Sequence, residues 1–211
     1  MVSLEPSSSL SRDDAVEILE QETVYKGFFR IDRYRLRHRL FAGGWSAELS
    51  REVFERGSAV ALLLYDPDRD AVVLIEQFRL AARLAGFSPW QIEVVAGILD
   101  HEGEAEEAVA QREAMEEAGL AIDGPLLPIH RFLTSPGGTT ETVTLFCGRV
   151  DSREAGGIHG RADEHEDIRV VVKPYREAIG LLRQGKIENA FALLALHWLA
   201  ANRRRLRREW R

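Results

Sequence analysis

The stretch 97–120, GILDHEGEAEEAVAQREAMEEAGL, leaves a glycine, crosses a short turn, enters an acidic helical pattern and stops at a second glycine. Its last nine residues are Arg112-Glu113-Ala114-Met115-Glu116-Glu117-Ala118-Gly119-Leu120. Glu113 and Glu117 stand four apart and Glu116 three from Glu113, so the three share one helical turn with Cβ atoms roughly 5–6 Å apart. Like charges at that spacing weaken a helix by about 0.2–0.5 kcal/mol per pair. A solvated acidic face is the plain alternative. A bound divalent cation offsets the repulsion more directly, because Mg²⁺ takes oxygen ligands, one or two carboxylates completed by waters and substrate phosphates. Gly119 suits the left-handed residue that closes a helix.

The order of these residues resembles the signature of the Nudix hydrolases: a glycine, a loop, a Glu, seven residues, then Arg-Glu-apolar-x-Glu-Glu-x-Gly-apolar. Glu104, Arg112 and everything through Leu120 fit. Six residues separate Gly97 from Glu104, one more than the family pattern, and the extra one falls in the turn Asp100–Gly103. The resemblance implies an α/β fold, an α/β/α sandwich around a mixed sheet. It implies that Glu113, Glu117 and the backbone carbonyl of Ala96 hold Mg²⁺, with Mn²⁺ as the alternative. Glu116 is left facing solvent or tuning the cluster, and Arg112 with Glu104 forms a salt bridge that fixes helix to loop.

The chain has 211 residues, 45% hydrophobic and 29% charged, which is enough for one full core or a domain with an appendage. Its formal net charge of −6 argues against nonspecific binding to nucleic acid. No apolar run reaches the roughly 18 residues of a membrane span. The start, MVSLEPSSSLSRDD, lacks the basic end and apolar stretch of a secretory signal, and reads as a mobile tail. Cys147 is the only cysteine, in an apolar strand pattern with Val143 and Leu145. It reads as a packing residue, and no intrachain disulfide exists, in keeping with a cytoplasmic protein.

Residues 22–56 read as an antiparallel β unit, with a phase shift from Phe29/Ile31 to Tyr34/Leu36 that predicts a bulge or bend, and a turn at Ala42-Gly43-Gly44 before a strand from Trp45 to Val53. Residues 59–65 and 71–79 form a hairpin of continuous apolar runs, as strands covered on both faces do. Trp90–Val95 is a further strand, then a helix from near Glu104, strands at about 127–133, 141–150 and 168–173, and helices over 175–184 and from 190 to about 207. The organisation is a tail and small N-terminal antiparallel β domain over 1–57, followed over 58–211 by the domain that resembles the Nudix hydrolases; the resemblance implies that the N-terminal unit forms the dimer and is exchanged between subunits. The Arg203–Arg208 run reads as a solvated helix end favoured by the helix dipole.

The acidic loop Arg161-Ala162-Asp163-Glu164-His165-Glu166-Asp167 is the candidate source of a water-activating base. From residue type alone Glu164, Asp163, His159 and His165 all qualify, and His has the pKa nearest neutrality. The resemblance implies Glu164 as general base and Glu166 as a further metal ligand. The N-terminal β unit, and Pro136 sixteen residues past Leu120, are similar to the ADP-ribose-hydrolysing branch of the family. That similarity implies a homodimer cleaving ADP-ribose to AMP and ribose 5-phosphate. Its substrate contacts would be Phe28, Phe29, Arg51, Glu52, Arg56, Ser135 and Glu141, reaching across the dimer interface, with Arg79 and Ile98. Read without the resemblance, Arg51, Glu52 and Arg56 serve equally as cross-strand surface pairs, Arg79 as a solvated strand end, and one of the two phenylalanines as core. The rival activities are hydrolysis of another nucleoside diphosphate derivative, such as a sugar nucleotide, and binding of ADP-ribose without cleavage.

Overall fold

The computed structural model describes residues 15–99 and 103–210. The expected N-terminal tail over 1–14 and most of the Asp100–Gly103 turn lie outside the described residues. The chain divides into two compact units. One holds the described residues up to Arg56 together with Thr134–Glu141, and the other holds Gly57–Leu133 and the described residues from Thr142 onward.

The first unit is an antiparallel meander of β1 (Val16–Lys26), β2 (Arg30–His38) and β3 (Leu49–Glu55). β1 starts earlier than hydrophobic alternation suggests, because charge holds its beginning. Glu17, Glu20 and Glu22 face Arg37, Arg35 and Arg33 across the ladder at 2.7, 3.3 and 3.8 Å. The expected irregularity is present, but in β1 rather than β2: the register shifts between Ile18 and Glu20 and again between Thr23 and Tyr25. Asp32 is fully buried and satisfied by Thr23 at 2.8 Å, Gln21 at 3.1 Å and Arg30 at 3.1 Å. The hydrogen bond from Thr23, together with those from Gln21 and Arg30, outweighs the burial that opposes it and keeps this carboxyl below its usual range. The turn at 42–44 forms with Gly43 and Gly44 at positive φ. Trp45 does not join β3; it bridges to Arg39, and the guanidinium groups of Arg39 and Arg37 lie 4.2 and 5.2 Å from its ring centre.

The second unit is a three-layer sandwich. Its sheet contains β4 (Ala59–Asp66), β5 (Ala71–Phe78), β6 (Trp90–Glu93), β7 (Val95–Ile98), β8 (Leu127–Leu133), β9 (Thr142–Arg149), β10 (Ile158–His159) and β11 (Ile168–Pro174), in the order β10-β11-β5-β4-β9-β8. β4 and β9 run parallel and the other pairs antiparallel, so the sheet is mixed. The helices are α1 (Leu80–Leu84), α2 (Glu106–Ala118), α3 (Tyr175–Arg183) and α4 (Ala190–Glu209). Every residue of β4 is buried, and alternate side chains feed opposite layers. Ala61, Leu63 and Tyr65 pack with Ile179 of α3 and with Ala195, Leu196 and Leu199 of α4. Val60, Leu62 and Leu64 pack with Val109, Ala110, Ala114 and Ala118 of α2. Burying each large aliphatic side chain contributes about 1.5–3 kcal/mol, which is why this run is apolar without alternation.

The strand expected over 90–95 is two strands. β4 and β5 pair with each other only over Leu64–Asp66 and Ala71–Val73, then diverge. Into that fork come β6, paired with β5, and β7, paired with β4, and the chain changes partner at Val94. Helix α2 starts at Glu106, two residues later than Glu104, with no side-chain cap on its first turn.

Candidate active site

β7 and α2 meet where the backbone of one lies against the carboxylates of the other. The Ala96 N–H donates to Glu117 Oε2 at 3.0 Å. A Cβ on Gly97 would collide with the carboxyl group of Glu113, so a larger residue there would displace that carboxylate. Glu117 is 3% exposed, and Glu113 is half-buried. Burial drives the Glu113 carboxyl up to about 7, with Glu116 and Glu166 adding to it and Arg112 opposing. Burial drives Glu117 up to about 8, reinforced by Glu113 and Glu166 against the Ala96 N–H and Arg79. Three carboxylates, Glu113, Glu117 and Glu166, thus repel one another across a poorly solvated space.

Arg112 Nη1 lies 2.8 Å from Glu113 and 3.3 Å from Glu116, and its Nε 3.7 Å from Glu104. One guanidinium therefore ties the approach loop to two helix glutamates and offsets part of the crowding. α2 ends at Gly119, φ 64°, with the Leu120 N–H donating to the Ala114 carbonyl at 3.1 Å, a six-to-one closure of the helix end.

Arg79 follows β5 and is clamped by Glu93 through Nη2 at 2.8 Å and Nε at 3.2 Å. Glu93, 5% exposed, also accepts from Gln77 and from Asn189 Nδ2 at 3.1 Å. Asn189 caps α4 by accepting from the Phe191 and Ala192 N–H groups. Half of the Arg79 side chain remains exposed, and its charge is felt by Glu117 and Glu166. The sequence reading missed Glu93; its signal was a lone acid between Ile92 and Val94 in an apolar strand. Ile98, at the end of β7, is exposed.

The acidic loop contains a 3₁₀ turn at Ala162–Glu164. Glu166 Oε2 accepts from the Arg161 N–H at 3.0 Å. Arg161 grips Asp163 at 2.6 and 3.2 Å, which holds the Asp163 carboxyl below its ordinary value, and stands 3.2 Å from Glu164. His159 Nε2 is 2.8 Å from the Gly156 carbonyl, and His165 is exposed at φ 57°.

The other expected contacts belong to the first unit and form a cluster of their own. Phe28 and Phe29 meet edge to face at 4.8 Å, Phe29 and Phe54 at 5.0 Å, and Arg56 lies 5.8 Å from the Phe29 ring centre. Arg56 Nε is 3.3 Å from Glu141, which is buried. Phe28 is 90% exposed and Phe29 half-buried, so the pair divides into an open ring and a packed one. Glu52 is taken by Arg33 at 2.9 Å, Arg51 donates to the Ser50 carbonyl beside it, and Ser135 is exposed on the 134–141 segment.

Among the described residues no three His, Cys, Asp or Glu side chains already converge on one cation position. Glu117 is turned to the Ala96 N–H and Glu113 to Arg112. The donor set nevertheless fits a hard divalent cation: all donors are oxygens, their like charges are incompletely compensated, and Mg²⁺ favours one or two carboxylates plus phosphate over a closed protein cage. A groove of about 410 Å³ elsewhere in the second unit, lined by Asp66, Asp68, Arg69, Asp123, Arg149 and Arg153, does not include these glutamates.

A mixed sheet sandwiched by helices, with a glycine-bounded helix presenting buried glutamates to a strand end, defines a class. The chain belongs to the NUDIX domain family, whose model matches residues 55–191. Among its relatives, an ADP-ribose pyrophosphatase of Escherichia coli (strain K12) is 52% identical over 195 residues, covering 92% of each chain. One of Haemophilus influenzae is 42% identical over 199 residues, covering 93% of this chain and 91% of that one. A GDP-mannose pyrophosphatase of Enterobacter sp. (strain 638) is 37% identical over 71% of this chain and 76% of its own length. In fold the chain is similar to a solved "ADP compounds hydrolase", with TM-score 0.68 and 20% identity over 93% of this chain and 98% of that one.

Proposed function

We propose that this protein is a pyrophosphohydrolase that cleaves ADP-ribose with water to AMP and ribose 5-phosphate. The observation that carries the reading is the acidic wall of Glu113 and Glu117 against β7, two carboxylates whose burial and mutual repulsion call for a cation and a phosphate. Support for the substrate comes from the ADP-ribose pyrophosphatases, which this chain matches over nearly its whole length, where the GDP-mannose enzyme matches a shorter share.

Glu113, Glu117, Glu166 and the Ala96 carbonyl would hold Mg²⁺, with Mn²⁺ as a substitute. The ion, when bound, neutralises diphosphate charge and lowers the pKa of water. Arg79, held at one end by Glu93, presents its exposed edge to a phosphate, and Ile98 belongs to the substrate set with it. Glu164 takes the proton of the attacking water. Of its rivals, His159 is turned to the Gly156 carbonyl, while Asp163 and Glu164 both stand beside Arg161, Asp163 in the two-point grip. The open ring of Phe28 stacks the adenine, with Phe29, Arg51, Glu52, Arg56, Ser135 and Glu141 completing the nucleotide contacts.

The working form is a homodimer in the cytoplasm. Support for the dimer is the apolar surface that the three-stranded unit leaves exposed, at Val16, Ile18, Tyr25 and Phe41, since so few strands bury too little on their own. No helix among the described residues is long and apolar enough to cross a membrane.

Hydrolysis of ADP-ribose in ¹⁸O-labelled water, with products weighed by mass, tests activity and substrate together. AMP and ribose 5-phosphate, one of them labelled, are expected. Cleavage of a sugar nucleotide in preference to ADP-ribose would reassign the substrate, and tight binding of ADP-ribose without products would remove the hydrolase reading.

A further inference from the structure

The mechanism leaves His159 unused, yet its placement is specific. The ring lies on the C-terminal turn of α2. A Cβ on Gly119 would stand 2.5 Å from His159 Cε1 and 3.2 Å from Nδ1, so the ring occupies the space that glycine leaves. Nε2 faces the Gly156 carbonyl at 2.8 Å. A carbonyl only accepts, so Nε2 carries the hydrogen and closes the loop on itself. The next residue continues the seam: the Gly160 N–H donates to the Glu116 carbonyl at 3.1 Å. A Cβ on Gly160 would lie 2.6 Å from Glu166 Cβ, so Glu166 packs directly on that glycine. The Glu164 and Glu166 N–H groups both donate to the Arg161 carbonyl at 3.1 Å.

Within the loop from Asp151 to Asp167, β10 also pairs with β11, Ile158 with Arg169 and His159 with Ile168, and the Val170 N–H donates to the Gly157 carbonyl at 3.1 Å. Ser152 is tied to Asp66 at its start, and the stretch 161–165 is exposed throughout. We propose that His159 is a positioning residue: docked on Gly119, it holds the loop that carries Glu164 and Glu166 against the helix that carries Glu113 and Glu117. The role rests on the reading of Glu164 and Glu166 given above. Coupling of this kind matters because reacting groups tolerate little displacement, and an error of about 1 Å costs up to roughly a hundredfold in rate.

The test uses amide hydrogen exchange on metal-free protein and steady-state kinetics with Mg²⁺. In H159A the Gly160 and Glu166 amides should exchange faster by about tenfold or more, while amides of β4 keep their protection. Turnover should drop roughly tenfold, with KM for ADP-ribose within about twofold. H159Q, whose side-chain amide can donate to Gly156, should recover most of both losses. Gly119→Ala displaces the ring from the other side and should reproduce the exchange change, adding less in the H159A background than alone. Unchanged exchange at Gly160 and Glu166 in H159A would overturn the docking, and loosened exchange with unaltered turnover would overturn the positioning role. Full turnover in Glu164→Gln together with Glu166→Gln is a separate failure: it removes the catalytic reading of the loop, and with it the purpose of the dock.

Discussion

Two stretches of this chain look alike as sequence and differ in what their charges meet. One is the acidic turn Glu113–Glu117 of α2; the other is the basic run Arg203–Arg208 of α4. The basic run is partnered. Arg203 donates to both oxygens of Asp70, Arg207 stands 3.4 Å from the same carboxylate, and Tyr65 OH donates to it at 2.8 Å. Arg207 also reaches the Pro67 carbonyl, and the Arg203 guanidinium lies 4.4 Å from the Tyr175 ring centre. Burial pushes the Asp70 carboxyl up, but Arg203 and Tyr65 more than reverse it and leave it below its ordinary value. The solvated helix end read from the sequence is therefore only half the finding: Arg204 and Arg208 point outward, while Arg203 and Arg207 latch α4 to the β4–β5 turn. On α2 the balance runs the other way: buried Glu117 accepts from a backbone N–H and has no ion-paired cation among the described residues. Matched charge reads as architecture; charge left in surplus reads as a site.

The contrast can be broken most decisively at Glu117. Glu117→Gln should raise the Mg²⁺ needed for half-activation by roughly tenfold or more, on the scale of perturbations to metal affinity, while Arg203→Ala leaves that titration where it was. A coincident titration for Glu117→Gln and the unaltered protein would detach this carboxylate from the metal. Stability should divide in the opposite sense. Arg203→Ala should cost about 1–3 kcal/mol, since it removes two charge-assisted hydrogen bonds to the half-buried Asp70 and leaves it only Arg207 and Tyr65, and lower Tm by several degrees at roughly 2–4 °C per kcal/mol for a chain of this size.

A third measurement compares the pH dependence of the two regions. Unfolded glutamates titrate near 4.3, whereas Glu113 and Glu117 in the folded, metal-free protein titrate at about 7 and 8. Between those limits the native state holds protons the unfolded state has released, so metal-free stability falls as pH rises from about 4 to 8. Asp70 has the reverse sign: its contribution is present above its unfolded pKa and is lost as pH falls through the depressed folded value. Metal-free Glu117→Gln should therefore lose part of the decline toward pH 8 and melt a few degrees higher there, at about 2–4 °C per kcal/mol. Thermal melts across pH 4 to 9, with and without Mg²⁺, would show it, and identical slopes in mutant and parent would refute the assignment. The smallest effect belongs to the exposed ladder of the first unit. Glu20→Gln removes the Arg35 pair at 3.3 Å, and its melting curve should overlay that of the parent.

The sequence made some of this legible and hid the rest for reasons of distance. The apolar runs of β4 and β5, the helix 106–118 and its glycine stop follow from local period and local chemistry. So does the glycine before the helix, although its reason, the Glu113 carboxyl pressed on Gly97, appears only in three dimensions. β1 escaped because its first half is held by glutamate–arginine pairs rather than alternation. The grip of Asn189 on Glu93 joins residues 96 apart, and the latch of Arg203 on Asp70 joins residues 133 apart. No window along the chain contains both members. The 161–167 loop was legible as acidic, but which of its members are already occupied was not, because Arg161, Gly156 and Gly119 decide that.

The forked sheet has one more consequence. Ala96 and Gly97 reach α2 at the right height only because the chain leaves β5 and joins β4 at Val94. That residue is the zero mark of a ruler. Extra length between Leu84 and Trp90 can swell outward harmlessly, but a single residue added between Glu93 and Ala96 would turn every following side chain to the opposite side of the strand and carry the strand end out of alignment with the glutamates of α2.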